Sequence, residues 1–174
     1  ALLIPARRLL VLLTLWLVLV THPLLDAFTS YGTQLFWPLT PTPTAWSSLF
    51  IIDQLYTVPL IAAVVISLFT GLREQSWRVP AVALALSTLY IGFSLAGKFM
   101  AEQRVEQELA RQGIQAERLF VTPTPFNTLL WRVIVLDGED YHEALVGWLD
   151  DDTPHLQRLP RGTHLREQLA GSAM

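Results

Sequence analysis

His22 and Asp26 stand four residues apart at the polar end of an uncharged run, within Thr21-His22-Pro23-Leu24-Leu25-Asp26. On a helix that spacing sets both side chains on one face, close enough to share a metal ion or a hydrogen bond. Ionisable groups at the end of an apolar span are costly unless they are hydrated, paired or bound to something. Two readings follow: a hydrated pair bonded to itself, or part of a metal site. Pro23 leaves the two in register whether it kinks one helix or opens a second, with Thr21 or His22 as its cap. The chain has no cysteine, so any metal is held by His, Asp or Glu, and disulfides, thiolate sites and a cysteine nucleophile are excluded.

The elements that position this pair are read from charge and hydropathy. Of 174 residues, 52% are hydrophobic and 16% charged, with mean hydropathy +0.39; a soluble domain carries about a quarter charged residues, so lipid is part of the solvent. Before Lys98 the charges are Arg7, Arg8, Asp26, Asp53, Arg73, Glu74 and Arg78, and the remainder is acidic overall. A membrane half, 1–98, is therefore expected to precede a polar α+β tail, 99–174. Spans are expected at about 9–27, 50–72 and 79–98, three transmembrane helices in a mainly α membrane protein. Leu9 to Leu25 rises roughly 26 Å as a helix, and without a small-residue cleavage site after it we read it as uncleaved. The arginines at 7, 8, 73 and 78 would share the cytoplasmic side, which makes the tail extracytoplasmic. Trp37, Trp46, Tyr31 and Tyr56 would form an outer aromatic belt.

In the tail, Phe99 to Gln112 has helical composition with Gly113 as its stop. Arg118 to Thr122, Thr128 to Leu136 and Tyr141 to Leu149 read as strands, the last two joined as a β-hairpin at Asp137-Gly138. Thr163 to Leu169 reads as a last short helix. So small an apolar core is marginal alone, so the tail is expected to pack on the outer face of the membrane helices. Net charge −3 and pI near 5.8 exclude a broad basic surface for nucleic acid. His142, His155 and His164 have no ligand-like spacing and read as surface residues.

Further candidates each have a bland alternative. Asp53 opens the second run, either as a helix cap or as an acid facing His22. Tyr56 either hydrogen-bonds there or anchors the interface. Lys98 either snorkels or offers a cation to an anionic substrate. Arg132, at the start of a strand with Asn127, is a bidentate phosphate clamp or a solvated arginine. Thr29, Ser30, Tyr31 and Gly32 make a turn that would also permit close approach of substrate. There is no phosphate loop, G-x-S-x-G elbow or His-Glu-x-x-His helix.

The stretch from His22 to Pro38 resembles the bacterial inner-membrane metal-dependent hydrolase family, also described as LexA-binding, membrane-associated hydrolases. Phe50 to Pro59 is similar to that family's second signature, with Gln54 where proline is usual, and Thr122 to Arg132 to its third. The family is remotely similar to zinc-dependent phospholipases C and fungal zinc nucleases, in which an H-x-x-x-D pair supplies metal ligands. The resemblance implies His22 and Asp26 as ligands of a divalent metal, zinc first. It also implies that further ligands come from an acidic Pro-Asp-x-Asp segment and a His-Arg segment, which the family carries amino-terminally and these residues lack; the chain then reads as a fragment or a processed form. The expectation is a membrane-bound hydrolase with Asp53, Lys98 and Arg132 as candidate catalytic residues and Thr29, Tyr31, Tyr56 and Asn127 near substrate. Its partners would be membrane lipid and a lipid-linked or small phosphoester. The rival expectation is a non-catalytic membrane assembly or regulatory protein. A cytoplasmic contact with LexA conflicts with an extracytoplasmic tail.

Overall fold

A computed structural model describes residues 5–70, 77–162 and 165. The chain forms two compact units that divide between Ser47 and Ser48.

The first unit is built on helix α1, Ala6–Phe28. Pro5 precedes it, and the Pro5 carbonyl accepts from Arg8 N at 2.8 Å and Leu9 N at 3.1 Å. Leu9 to Val20 is exposed around the whole circumference, as in a helix whose solvent is lipid. The hydroxyls of Thr14 and Thr21 donate to Leu10 O and Leu17 O at 2.9 and 2.7 Å, which removes two polar groups from that surface. Pro23 lies inside α1, and no second helix starts there. After α1 the chain turns back: Trp46 N donates to Ala27 O at 2.6 Å, and the Trp46 and Phe28 rings meet edge to face at 4.6 Å. A Thr33–Thr44 bridge closes the loop. Gly32 is required in it, because φ is +69° and an added Cβ would lie 2.8 Å from Thr44 O.

The second unit begins with α2, Gln54–Thr70, and α3, Arg78–Gln112, packed antiparallel. The Ser87 hydroxyl donates to Tyr56 O at 3.0 Å, and that of Ser94 to Ser48 O. The buried positions of α3, Ala83, Ser87, Ser94, Gly97, Ala101, Val105 and Leu109, recur at helical spacing. Small residues at 83 and 87 let the helices approach, and from Gly97 onward the buried face packs the sheet and its tryptophans.

That sheet is an antiparallel meander in the order β1 (Arg118–Pro123), β2 (Leu130–Asp137), β3 (Asp140–Gly147), β4 (Gln157–Pro160). Asp137 pairs with Asp140 across the expected hairpin, and Gly138 adopts φ +56° in its turn. Val121, Trp131, Val133, Val135, Ala144 and Val146 form the inner face against Ala101, Val105 and Leu109. Arg104 crosses from α3 to the carbonyls of Gly147 and Asp150.

Several expectations change. Among the described residues two helices, α1 and α3, are long and apolar enough to cross a membrane, where three were expected; α2 has 17 residues. The reason is Asp53, which caps the helix at Gln54 and leaves residues 50–53 of the second apolar run outside it. The helix expected from Phe99 is continuous with the third run, since nothing between Gly97 and Gln112 breaks it. It ends at Gly113, whose φ of +70° lets Ile114 N reach Leu109 O at 3.0 Å. At about 52 Å, α3 exceeds a bilayer's hydrocarbon core of about 30 Å. The tail packs on this same helix. Strand β4 was not expected. His142 is 6% exposed, not a surface residue: it shares the inner-face parity of Ala144 and Val146. Arg73, Glu74 and His164, and the helix expected at 163–169 apart from Leu165, lie outside the described residues.

Candidate functional site

In the first unit, α1 carries the ligand-type pair. His22 Nε2 stands 3.8 Å from Asp26 Oδ2, with both side chains open to solvent. Zinc bonds to nitrogen and oxygen run about 2.0–2.2 Å, so two donors 3.8 Å apart fit one ion between them. Asp26 also ends the helix, its carbonyl accepting from Thr29 Oγ1 at 2.7 Å and Thr29 N at 3.0 Å. Thr29 is thereby occupied as a C-terminal cap, while Tyr31, just beyond, is 77% exposed. The pair fits two positions of a metal's ligand shell. Among the described residues no group of three or more His, Cys, Asp or Glu is arranged to hold an ion, and a stable catalytic zinc site uses about three protein ligands.

In the second unit, Asp53 is 3% exposed and organises a polar cluster. Its Oδ1 accepts from Leu55 N at 3.0 Å and Tyr56 N at 3.2 Å, the cap reading of this residue. Its Oδ2 accepts from the Tyr90 hydroxyl at 2.9 Å, and that hydroxyl stands 2.7 Å from Thr128 Oγ1. Thr128 itself is 2% exposed. Segments 50–59 and 122–132 therefore meet through Tyr90, and the rings of Phe50 and Phe126 touch edge to face at 5.0 Å.

The other candidates are placed separately. Tyr56 sits in the first turn of α2, half-buried. Asn127 holds the loop before β2, its Oδ1 accepting from Leu129 N at 2.7 Å. Lys98 faces Glu102 at 3.5 Å, one turn along α3. Arg132 lies on the outer face of the sheet, its Nε donating to Glu143 Oε1 at 2.7 Å. That bond raises the guanidinium's pKa and lowers that of the Glu143 carboxyl.

Tyr90, Thr128, Ser87 and Ser94 were not among the candidates. The signal was present in the third run, where Ser87, Tyr90, Ser94 and Gly97 fall on one helical face of an otherwise apolar segment.

Exposed apolar helices, hydroxyls folded back onto backbone carbonyls, and a carboxylate buried only where a helix end and a tyrosine satisfy it define a membrane-type helical protein with a small polar sheet. The chain matches the family described as YdjM inner membrane protein over residues 1–101, and it belongs to that family. The match includes the segments around His22 and Asp53 and ends before Thr128. No curated protein and no solved structure matches it.

Proposed function

We propose that the chain is a multi-pass inner-membrane protein whose His22 and Asp26 contribute two ligands to a divalent metal, zinc first, for hydrolysis of a phosphoester at the membrane surface. The observation that carries this reading is the 3.8 Å approach of an imidazole nitrogen and a carboxylate oxygen on the exposed end of an apolar helix. Such an ion, when bound, supplies Lewis acidity and acidifies water toward neutral pH. His22 must be neutral and Asp26 ionised to serve as ligands. Thr29 holds the Asp26 carbonyl and so fixes where the helix, and with it the pair, ends. Tyr31 beside it offers an amphipathic surface to a lipid-linked substrate.

In this reading α3 enters the bilayer at Arg78 from the cytoplasmic side, α2 returns beside it near the lower limit of a spanning length, and the sheet is extracytoplasmic. Protease treatment of intact spheroplasts checks this: sheet residues should be cut, and protection would reverse the orientation. For the site, elemental mass spectrometry on detergent-purified protein should find zinc or manganese near stoichiometry in wild type and a loss in both His22→Ala and Asp26→Ala. Metal-free wild type would reject a site preformed by these residues.

A second reading is a non-catalytic assembly protein. It is favoured by Asp53, whose two oxygens are filled by backbone amides and Tyr90, as in a structural carboxylate. An unchanged phenotype of His22→Ala in cells lacking the native gene copy would favour it.

A further inference from the structure

An apolar groove of about 380 Å³ lies between α2 and α3, within the size range of ligand sites, about 300–1,000 Å³. Pro59 and Ala63 line it from α2, and Arg78, Val82, Ala83 and Leu86 from α3. Its origin is steric: Ala63 and Ala83 are buried at the helix contact and fill little space, and Pro59 carries a compact ring. Two turns of α3 bound its length. Arg78, the first residue of α3, is the one charged group among the described residues of its lining. No carboxylate pairs with the Arg78 guanidinium among the described residues. Trp77, adjoining it, is 63% exposed, and exposed tryptophan beside arginine marks a membrane–water interface.

We propose that this groove binds one acyl chain of an anionic glycerophospholipid, with the headgroup phosphate on Arg78. The argument is charge complementarity along one axis. A slot with an apolar wall and a cation at its interfacial end matches a lipid whose chain and phosphate are covalently joined, whereas an apolar protein helix supplies an anion there only if it carries a carboxylate at that turn. A neutral lipid has the same chains but leaves the guanidinium uncompensated. The inference rests on insertion of α3 in a bilayer and is independent of any hydrolytic activity.

The test uses the full chain reconstituted in vesicles of equal phosphatidylglycerol and phosphatidylcholine with identical acyl chains, then extracted for native mass spectrometry. Wild type should retain one phosphatidylglycerol in about fivefold preference, the value of one interfacial cation. Arg78→Gln should abolish the preference, Val82→Trp, an exposed position, should fill the groove and reduce retention of both lipids, and Arg7→Gln with Arg8→Gln should leave the preference intact. Equal retention of the two lipids by wild type, or a preference that survives Arg78→Gln, overturns the assignment. Alkaline carbonate extraction separates the premises: a chain that carbonate removes refutes membrane insertion, and an integral chain with no lipid preference refutes the groove alone.

Discussion

The Tyr90 hydroxyl donates to Asp53 Oδ2 at 2.9 Å and stands 2.7 Å from Thr128 Oγ1, so that one phenol joins the start of α2, the middle of α3 and the loop entering β2. Asp53 is 3% exposed, and a carboxylate that deep is tolerable only because its oxygens are filled. Tyr90→Phe should therefore lower stability by about 1–2 kcal/mol, the value of a hydrogen bond to a charged group reduced by the partners a membrane environment provides. Thermal unfolding in detergent reads this, and a double-mutant cycle with Thr128→Val should show non-additive losses. Full additivity would mean that the two hydroxyls act independently.

Gly97 is where α3 meets the indoles of Trp131 and Trp148. A Cβ there would fall 2.5 Å from Trp148 Nε1 and 2.9 Å from Trp131 Nε1. Helix propensity alone favours alanine by about 1 kcal/mol, whereas overpacking costs about 1–3 kcal/mol. Gly97→Ala should be destabilised, with red-shifted tryptophan fluorescence as the indoles are displaced. Stabilisation would mean that the sheet yields without cost.

Arg132 and Glu143 form a diagonal cross-strand pair, since Arg132 faces Leu145 in register. The hydrogen bond from Arg132 holds the Glu143 carboxyl below its ordinary value. A depressed carboxylate pKa contributes stability above the unfolded-state value and loses it as pH falls through the folded one. Wild type should exceed Glu143→Gln by a few tenths of a kcal/mol above about pH 5, because the pair is largely solvated, and the two should converge as pH falls through the depressed folded-state value. Acid titration of both proteins by circular dichroism is the check; a constant gap would assign the difference to packing.

Arg104 holds the turn after β3 by donating to the Gly147 and Asp150 carbonyls, while Asp150 Oδ2 accepts from Gly147 N at 2.7 Å. Arg104→Met keeps the aliphatic stem and removes the donors. Amide exchange should accelerate in residues 147–152 while the β2–β3 ladder stays protected. Arg111→Met, which removes only a 3.5 Å contact with Glu108 on the same helix, should leave that loop unchanged.

Local pattern carried much of this fold. Uncharged runs located the three apolar helices, segments rich in Leu, Val, Ile and Trp located β1 to β3, and Asp137-Gly138 placed the hairpin, because each depends on neighbours in the chain. The cap at Asp53 was readable for the same reason, as was the His22–Asp26 face of α1. Parity along β3 would also have placed His142 inward beside Ala144 and Val146, had the alternation been carried through. Strand β4 offered no such pattern: Gln157 to Pro160 is a short, polar edge segment held by pairing to β3 and by the ion pair of Arg158 with Asp140.

Sequence alone determined where apolar helix could form, where it must stop, and which chemistry the absence of cysteine forbids, since these follow from backbone and side-chain preferences acting over a few residues. Tertiary structure decided which polar groups within those helices are satisfied. Tyr90 finds Asp53 and Thr128 across 37 and 38 residues of chain, and Ser94 finds the Ser48 carbonyl. Burial makes each such partner obligatory, but spacing in the chain does not name it, because the groups come together only when α2 and the sheet pack against one continuous α3.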